Sequence, residues 1–230
     1  EQAQQQARGC KLVRFQHHTP VVTLRMLMEE LEVITLGIES DRMTVDEFEL
    51  LANQVRRKAI TPLKGFVDQI RRVKDEEEIA LLARAEEISD QALAHVLPMI
   101  KPGMTEREIA MELEFQMRRL GASGVSFETI VASGKRSSMP HGVATDKKVE
   151  IGDFITMDFG CVYQGYCSDI TRTIALGKVD EKQETVYNLV RKAQEDALQA
   201  IKAGVTGSEI QAVAQNVFQD AGYGSFFGHG

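Results

Sequence analysis

The chain has 230 residues, a formal net charge of −7 and 43% hydrophobic residues, which is enough apolar content to bury a core. Its basic residues are scattered along the sequence, so nucleic acid is not an expected partner. No apolar run approaches the length that spans a membrane. The three cysteines lack the spacing of a metal site, and they favour a reducing, cytoplasmic setting.

Residues 1 to about 60 predict short strands alternating with helices. The strands are predicted over 10–15 and 33–39, and the helices over 21–31 and 44–55. Pro62 and the residues up to Gly65 are typical of a connection that leads out of this region. The pattern predicts a βαβα half-domain.

A stronger helical pattern begins near residue 67, and a long amphipathic helix is predicted over 74–97. The segment IKPGMTEREI (100–109) then returns as IKAGVTGSEI at 201–210. Thr105 and Thr206 each precede a glutamate by three residues, which is the pattern of a capping box at a helix start. A single repeat favours two duplicated halves about a pseudo-twofold axis over a solenoid, with chance similarity between amphipathic helices as the alternative.

After the first copy, the sequence predicts a strand over 125–130. The following segment, VASGKRSSMPHG, is rich in glycine and serine and carries His141. Loops held by a rigid scaffold commonly provide substrate contacts.

Residues 152–174, GDFITMDFGCVYQGYCSDITRTI, alternate apolar and polar side chains, which predicts a β-hairpin. If Gln164 and Gly165 form a two-residue turn, Gly160 pairs with Asp169. Asp158 and Asp169 then lie diagonally on one face, within side-chain reach of each other.

Two neighbouring carboxylates repel each other unless one takes a proton or a cation binds. Hard divalent cations prefer oxygen ligands, and carboxylates that bridge two metals are common in hydrolytic sites. The alternative is a strand face whose aspartates point into solvent. His141 and His229 have glycine neighbours that would allow close approach to a ligand, although each taken alone fits a structural or surface histidine better.

The combined motifs resemble a known family. MDFG, an aspartate eleven residues later within SDITRT, PHG before them and GHG after them are similar to the pita-bread metallopeptidases, in particular to the Xaa-Pro aminopeptidase and dipeptidase branch. RRVKDEEEI at 71–79 is similar to the opening of their catalytic domain. The resemblance implies an α/β (α+β) fold with two parts. Residues 1–66 would be the end of a ribonuclease-H-like amino-terminal domain, and 67–230 a pita-bread domain that is incomplete at its carboxyl side.

The resemblance also implies roles for individual residues. Asp158 would bind one divalent metal ion, Asp169 would bridge two, and His229 would be the imidazole ligand. His141 would be catalytic and would hold the scissile carbonyl of the substrate. A hydroxide bridging the two ions would be the nucleophile, with Mn²⁺ favoured over Co²⁺ or Zn²⁺. Further family ligands are expected beyond Gly230, so the chain resembles an internal fragment that by itself is inactive.

The implied function is hydrolysis of the bond between an amino-terminal residue and proline, by a cytoplasmic homodimer acting on peptides with proline at the second position. Three alternatives stay open at this point. They are a creatinase-like hydrolase that works without metals, a methionine aminopeptidase, and a non-catalytic pita-bread module that binds peptides or proteins. Paired aspartates argue against the first and the last of these.

Overall fold

The structure is a computed structural model that describes residues 4, 7, 9, 11–13, 19–55 and 59–228. The chain divides into two compact units, residues 1–75 and residues 76–230. Among the described residues, no helix combines the length and the apolar character needed to cross a membrane.

Among its described residues, the first unit alternates helices with two short strands. Its elements are α1 (Pro20–Glu30), β1 (Leu36–Ile38), α2 (Val45–Gln54), β2 (Ile60–Pro62) and α3 (Phe66–Arg71). Strands β1 and β2 form a parallel pair. The side chains of Thr19 and Thr44 accept backbone N–H bonds at the starts of α1 and α2, as expected of N-cap residues.

The predicted helices over 21–31 and 44–55 are confirmed, and the strand over 33–39 is confirmed with shorter bounds. Lys11 to Val13 are not in a strand, and the other residues of the strand predicted over 10–15 lie outside the described residues. The prediction for Pro62 was wrong, because Pro62 ends β2 instead of opening a connection. Proline is tolerated at such a strand end, where its missing N–H removes no interior ladder bond.

The second unit contains four helices and six strands among its described residues. In chain order they are α4 (Glu76–Val96), α5 (Glu106–Arg119), β3 (Gly124–Val125), β4 (Ile130–Ser133), β5 (Phe154–Phe159), β6 (Cys161–Tyr163), β7 (Tyr166–Cys167), β8 (Ile170–Ala175), α6 (Glu181–Ala200) and α7 (Gly207–Asp220). Short 3₁₀ turns occupy Leu97–Met99, Gly134–Ser138 and Gly224–Phe226. The helix predicted over 74–97 is therefore confirmed as α4.

The predicted hairpin forms with the predicted register, but it is divided between two sheets. Tyr163 pairs with Tyr166 around a turn in which Gln164 and Gly165 both have positive φ, as in a type I′ turn. Strands β6 and β7 join β3 in one antiparallel sheet, and β5 and β8 join β4 in another. The two sheets are consecutive lengths of one ribbon that is interrupted at Gly160.

The interruption is built from side-chain hydrogen bonds that replace ladder bonds. The Cys161 amide donates to Ser168 Oγ at 2.8 Å instead of to a backbone carbonyl. The Ser168 carbonyl accepts from Ser126 Oγ at 2.8 Å, while the Ser126 amide donates to the Gly160 carbonyl at 3.0 Å.

The single strand predicted over 125–130 was wrong. Residues 126–129 cross from one sheet to the other, between β3 and β4.

The core of the second unit lies between the sheets and the first helix pair. Strand β5 alternates strictly, with Ile155, Met157 and Phe159 fully buried. Helices α4 and α5 contribute further large buried side chains to the same cluster, namely Ile88, Leu93, Val96, Ile109, Leu113 and Met117. Burying side chains of this size contributes roughly 1.5–3 kcal/mol each. The opposite face of β5 carries Phe154, Thr156 and Asp158, which are only partly buried.

The internal repeat is confirmed as a repeated helix pair. Helix α4 packs beside α5, and α6 packs beside α7. Thr105 and Thr206 each form a complete capping box, with Glu108 and Glu209 respectively, at the starts of α5 and α7.

We predict that Gly160→Ala lowers the free energy of unfolding by about 3 kcal/mol, the upper range for overpacking a tight site. A Cβ at Gly160 would overlap the backbone carbonyl of Ser168 and the Ser126 hydroxyl. The control is Gly124→Ala in β3, because a Cβ there meets no atom within 4 Å. Denaturant unfolding measures the free energy of unfolding of both variants and of the native protein. Equal decreases in the two variants would contradict the steric explanation.

Candidate metal-binding site

The polar face of the β5–β8 pair carries the first candidate ligand. Asp158 lies directly opposite Thr171, and Thr156 lies opposite Thr173. The hydroxyls of Thr156 and Thr173 are 3.0 Å apart, within hydrogen-bond distance. One carboxylate and three threonine side chains therefore share this surface, as the period-two pattern predicted.

Asp169 lies just before β8, where the ribbon is interrupted. Its neighbour Ser168 is buried, and the Ser168 Oγ atom is 2.7 Å from Ser89 Oγ on α4. The Asp169 amide donates to Glu86 Oε1, also on α4, at 3.3 Å. Helix α4 thus holds the backbone at Asp169, while the Asp169 side chain is exposed on the face that carries Asp158.

The electrostatics of Asp158 identify it as a carboxylate without adequate compensation. Its Oδ1 atom is buried and has no hydrogen-bond partner. Burial raises the pKa of the Asp158 carboxyl above its usual range, and the negative charge of Asp169 adds to this shift, while the Thr171 hydroxyl and His141 oppose it. Leaving a buried acceptor unpaired costs roughly 1–3 kcal/mol. A cation beside this oxygen would remove that cost, so the residues present fit a hard divalent ion.

His141 lies in the loop after β4, close enough to Asp158 to oppose the rise in the pKa of that carboxyl. Val143, two residues further on, forms an isolated bridge with Ile130, which is the β4 partner of Asp158. The Val143 amide donates to the His141 carbonyl at 2.9 Å, and the His141 side chain is exposed. The structure therefore brings Asp158, Asp169 and His141 together.

His229 lies outside the described residues, so the structure gives it no position. Within the described part of the chain, no group of three or more histidine, cysteine, aspartate and glutamate side chains could hold a metal ion. Asp158 and Asp169 are accordingly the members of the predicted ligand set whose positions the structure describes.

The two described cysteines differ in exposure. Cys161 is buried in the core and Cys167 is exposed on β7.

Sequence reasoning missed Glu106, which is a fully buried carboxylate at the start of α5. It accepts hydrogen bonds from Ser133 and Thr145 and forms an ion pair with Arg136 at 3.2 Å. Two of these partners, Ser133 and Thr145, flank the loop that carries His141. The signal available in the sequence was the difference between the repeats, because the second copy has Gly207 at the equivalent position.

An antiparallel ribbon divided between two sheets, beside paired helices and with two carboxylates on one face, is the arrangement expected of the pita-bread metallopeptidase class. Residues 80–230 match the model of metallopeptidase family M24, and residues 1–73 match that of the creatinase/prolidase N-terminal domain. The chain belongs to metallopeptidase family M24.

Individual relatives agree with this assignment. Over 230 residues the chain is 40% identical to the uncharacterized peptidase YqhT of Bacillus subtilis, covering 100% of this chain and 65% of that protein. It is 40% identical over 195 residues to the Xaa-Pro dipeptidase of Pyrococcus horikoshii, covering 85% of this chain and 55% of that protein.

A solved structure gives the same result for the fold. The Xaa-Pro dipeptidase from Bacillus anthracis superimposes with a TM-score of 0.93 at 42% identity, over 99% of this chain and 64% of the other. The chain thus spans between about half and two thirds of the length of these relatives.

We predict that Glu106 makes the free energy of unfolding decrease at acid pH. Burial alone would raise the pKa of Glu106, but hydrogen bonds from Thr145 and Ser133 outweigh it and hold the pKa below its usual range. The stabilisation is therefore complete above the unfolded-state pKa, about 4.3, and is lost as the pH falls through the lower folded-state value. The charged groups facing this carboxylate are Arg136 directly and Lys147 through Ser133.

The test compares Glu106→Gln with the native chain in thermal unfolding from pH 7 to pH 3. The variant should be less stable by about 2–4 kcal/mol at pH 7, and the difference should shrink at acid pH as the native carboxylate takes up a proton. Glu114→Gln on the same helix is the control. A difference that stays constant across this pH range would contradict the assigned ionisation.

Proposed function

We propose that the complete protein is a metal-dependent exopeptidase that hydrolyses the bond between an amino-terminal residue and proline. The observation that carries the proposal is the buried, unpartnered Oδ1 of Asp158 beside the carboxylate of Asp169. The names of the relatives support the substrate class, since those of Pyrococcus horikoshii and Bacillus anthracis are Xaa-Pro dipeptidases.

Asp158, Asp169 and His229 would hold the metal, with two divalent ions proposed and Mn²⁺ favoured over Co²⁺ or Zn²⁺. Oxygen-rich ligation with one imidazole suits ions of this kind better than those that prefer thiolates. When bound, the ions would supply Lewis acidity, which polarises a carbonyl and lowers the pKa of water.

The other contributions come from side chains of this chain. Asp158 lies in the rigid β5–β8 pairing, so its carboxylate is held in place without a further ordering cost. His141 lies in an exposed loop beside the carboxylates, where its ring can donate a hydrogen bond to the scissile carbonyl oxygen. The neighbouring threonine hydroxyls, Thr156 and Thr173, bond to each other across β5 and β8.

The proposed substrate is a peptide with proline at the second position, in line with the names of the relatives. Its free amino group and the fixed ring of proline distinguish such a peptide from most others, since proline has no backbone N–H and a restricted φ. A homodimer and a cytoplasmic location stay predictions of the sequence resemblance.

We predict that Asp158→Asn and Asp169→Asn each lower the metal-dependent hydrolysis of an Xaa-Pro dipeptide at least about 100-fold. Loss of a residue that only supports a metal ligand costs up to roughly 100-fold, and loss of the ligand itself should cost more. The assay uses the complete protein with added Mn²⁺. Asp220→Asn is the matched control, because it is the same aspartate-to-asparagine substitution at an exposed position, the end of α7.

Metal binding, measured by calorimetric titration with Mn²⁺, accompanies the activity assay. Both substitutions should weaken binding, while Asp220→Asn should leave it unchanged. Full activity in Asp169→Asn would refute the ligand assignment. Native protein that binds no Mn²⁺ and cleaves no Xaa-Pro peptide would instead favour a non-catalytic binding module.

A further inference from the structure

We infer that Glu106 is a positioning residue for the loop that carries His141. Its carboxylate is fully buried and accepts hydrogen bonds from five donor atoms: the amide and hydroxyl of Ser133, the amide and hydroxyl of Thr145, and Nε of Arg136. The catalytic consequence of this role rests on the proposed function, whereas the positioning itself does not.

The five donors come from the two arms of one loop. Ser133 ends β4 and Arg136 lies in the following 3₁₀ turn, so both belong to the arm that enters the loop. Thr145 belongs to the arm that leaves it. Glu106 Oε1 binds Ser133, Oε2 binds Thr145, and Arg136 Nε lies within reach of both oxygens, at 3.4 and 3.2 Å. One carboxylate thereby closes the neck of the loop.

Arg136 extends this closure toward His141. Its Nη2 donates to the Val143 carbonyl at 2.7 Å, and Val143 in turn donates its amide to the His141 carbonyl. The ion pair with Glu106 orients the guanidinium whose other end holds this part of the loop. A chain of three contacts therefore connects the buried carboxylate to the backbone of His141.

The outgoing arm is also docked on the helix that carries Glu106. The amides of Glu106 and Arg107 donate to the carbonyls of Lys147 and Thr145, both at 3.0 Å. Lys147 Nζ reaches back to Ser133 Oγ and to Asp153, each at 2.8 Å. The two amide bonds hold residues 145–147 without the Glu106 carboxylate. The carboxylate joins the incoming arm to these residues in addition to the single bond from Lys147 to Ser133.

The internal repeat separates this role from that of starting the helix. Helix α7 begins at Gly207, the equivalent of Glu106, with the same capping box between Thr206 and Glu209. A buried carboxylate at the first helical position is thus unnecessary for the helix. It occurs in the copy that is followed by the His141 loop.

Glu106→Gln keeps the size of the side chain but replaces one acceptor oxygen by an NH₂ donor. The NH₂ group must then face either Ser133 or Thr145, whose amide and hydroxyl both donate to Glu106 in the native protein. Two donors would face each other, and at least one would be buried without an acceptor. The neck of the loop should open, and displacing His141 by about 1 Å is enough to cost roughly 10²-fold in rate.

The experiment is carried out on the complete protein and has two readouts. Amide hydrogen exchange at Met139 and Val143, which bond within the loop and not to Glu106, should become about tenfold faster in Glu106→Gln. With an Xaa-Pro dipeptide and Mn²⁺, kcat should fall about 10²-fold, while the affinity for Mn²⁺ stays unchanged because Asp158 and Asp169 lie on other elements.

Glu108→Ala is the matched control, because it removes the capping box of the same helix without touching the loop. It should lower overall stability and leave the exchange of Met139 and Val143 unchanged relative to the rest of the unit. Thr145→Val removes one of the five donors, so it should give a smaller effect of the same kind and serves if Glu106→Gln fails to fold.

Unchanged exchange at Met139 and Val143 in both Glu106→Gln and Thr145→Val would overturn the inference. So would a kcat loss in Glu108→Ala equal to that in Glu106→Gln, because the effect would then belong to the helix. If the native protein cleaves no Xaa-Pro peptide, the proposed function fails, and the exchange measurement still decides whether Glu106 positions the loop.

Discussion

The antiparallel pairing of β5 with β8 is the constraint on which the candidate site depends. This register sets Asp158 opposite Thr171 and places Asp169 one step beyond the end of the pair, on the same face. A shift of one residue would send the carboxylates into the core and bring buried residues such as Met157 to the surface. The alternation of large apolar side chains along β5 makes that shift prohibitively costly. The core thus determines the position of the site without contributing an atom to it.

Two carboxylates with buried oxygen atoms show opposite electrostatic solutions in this unit. Glu106 is fully buried, yet its oxygens accept bonds from five donor atoms and face the charge of Arg136. Asp158 has a buried oxygen without any partner and a second carboxylate nearby. A satisfied carboxylate of the first kind contributes to structure, because its removal leaves several donors unpaired. An unsatisfied one is tolerated at a cost, which is characteristic of positions reserved for a ligand.

The internal repeat gives the unit two similar helix pairs with different surroundings. The pair α4 and α5 buries a continuous apolar face against the sheets, and α4 also holds the backbone of Asp169 through Glu86 and the buried pair Ser89 and Ser168. The pair α6 and α7 has fewer buried side chains among its described residues, namely Ala193 and Phe218. Similar local sequence can therefore specify similar helices while their tertiary roles differ.

By itself the sequence determined the helices, the hairpin register and the motif set that indicates the family, because capping boxes, a two-residue turn and period-two alternation act over a few neighbouring residues. It also predicted that Asp158 and Asp169 share a face. Only the tertiary structure decided that the hairpin is interrupted at Gly160, since the hydrogen bonds of Ser126 and Ser168 join segments about 40 residues apart. The same holds for Glu106, whose partners follow it by 27 to 39 residues, so no local pattern could reveal its burial.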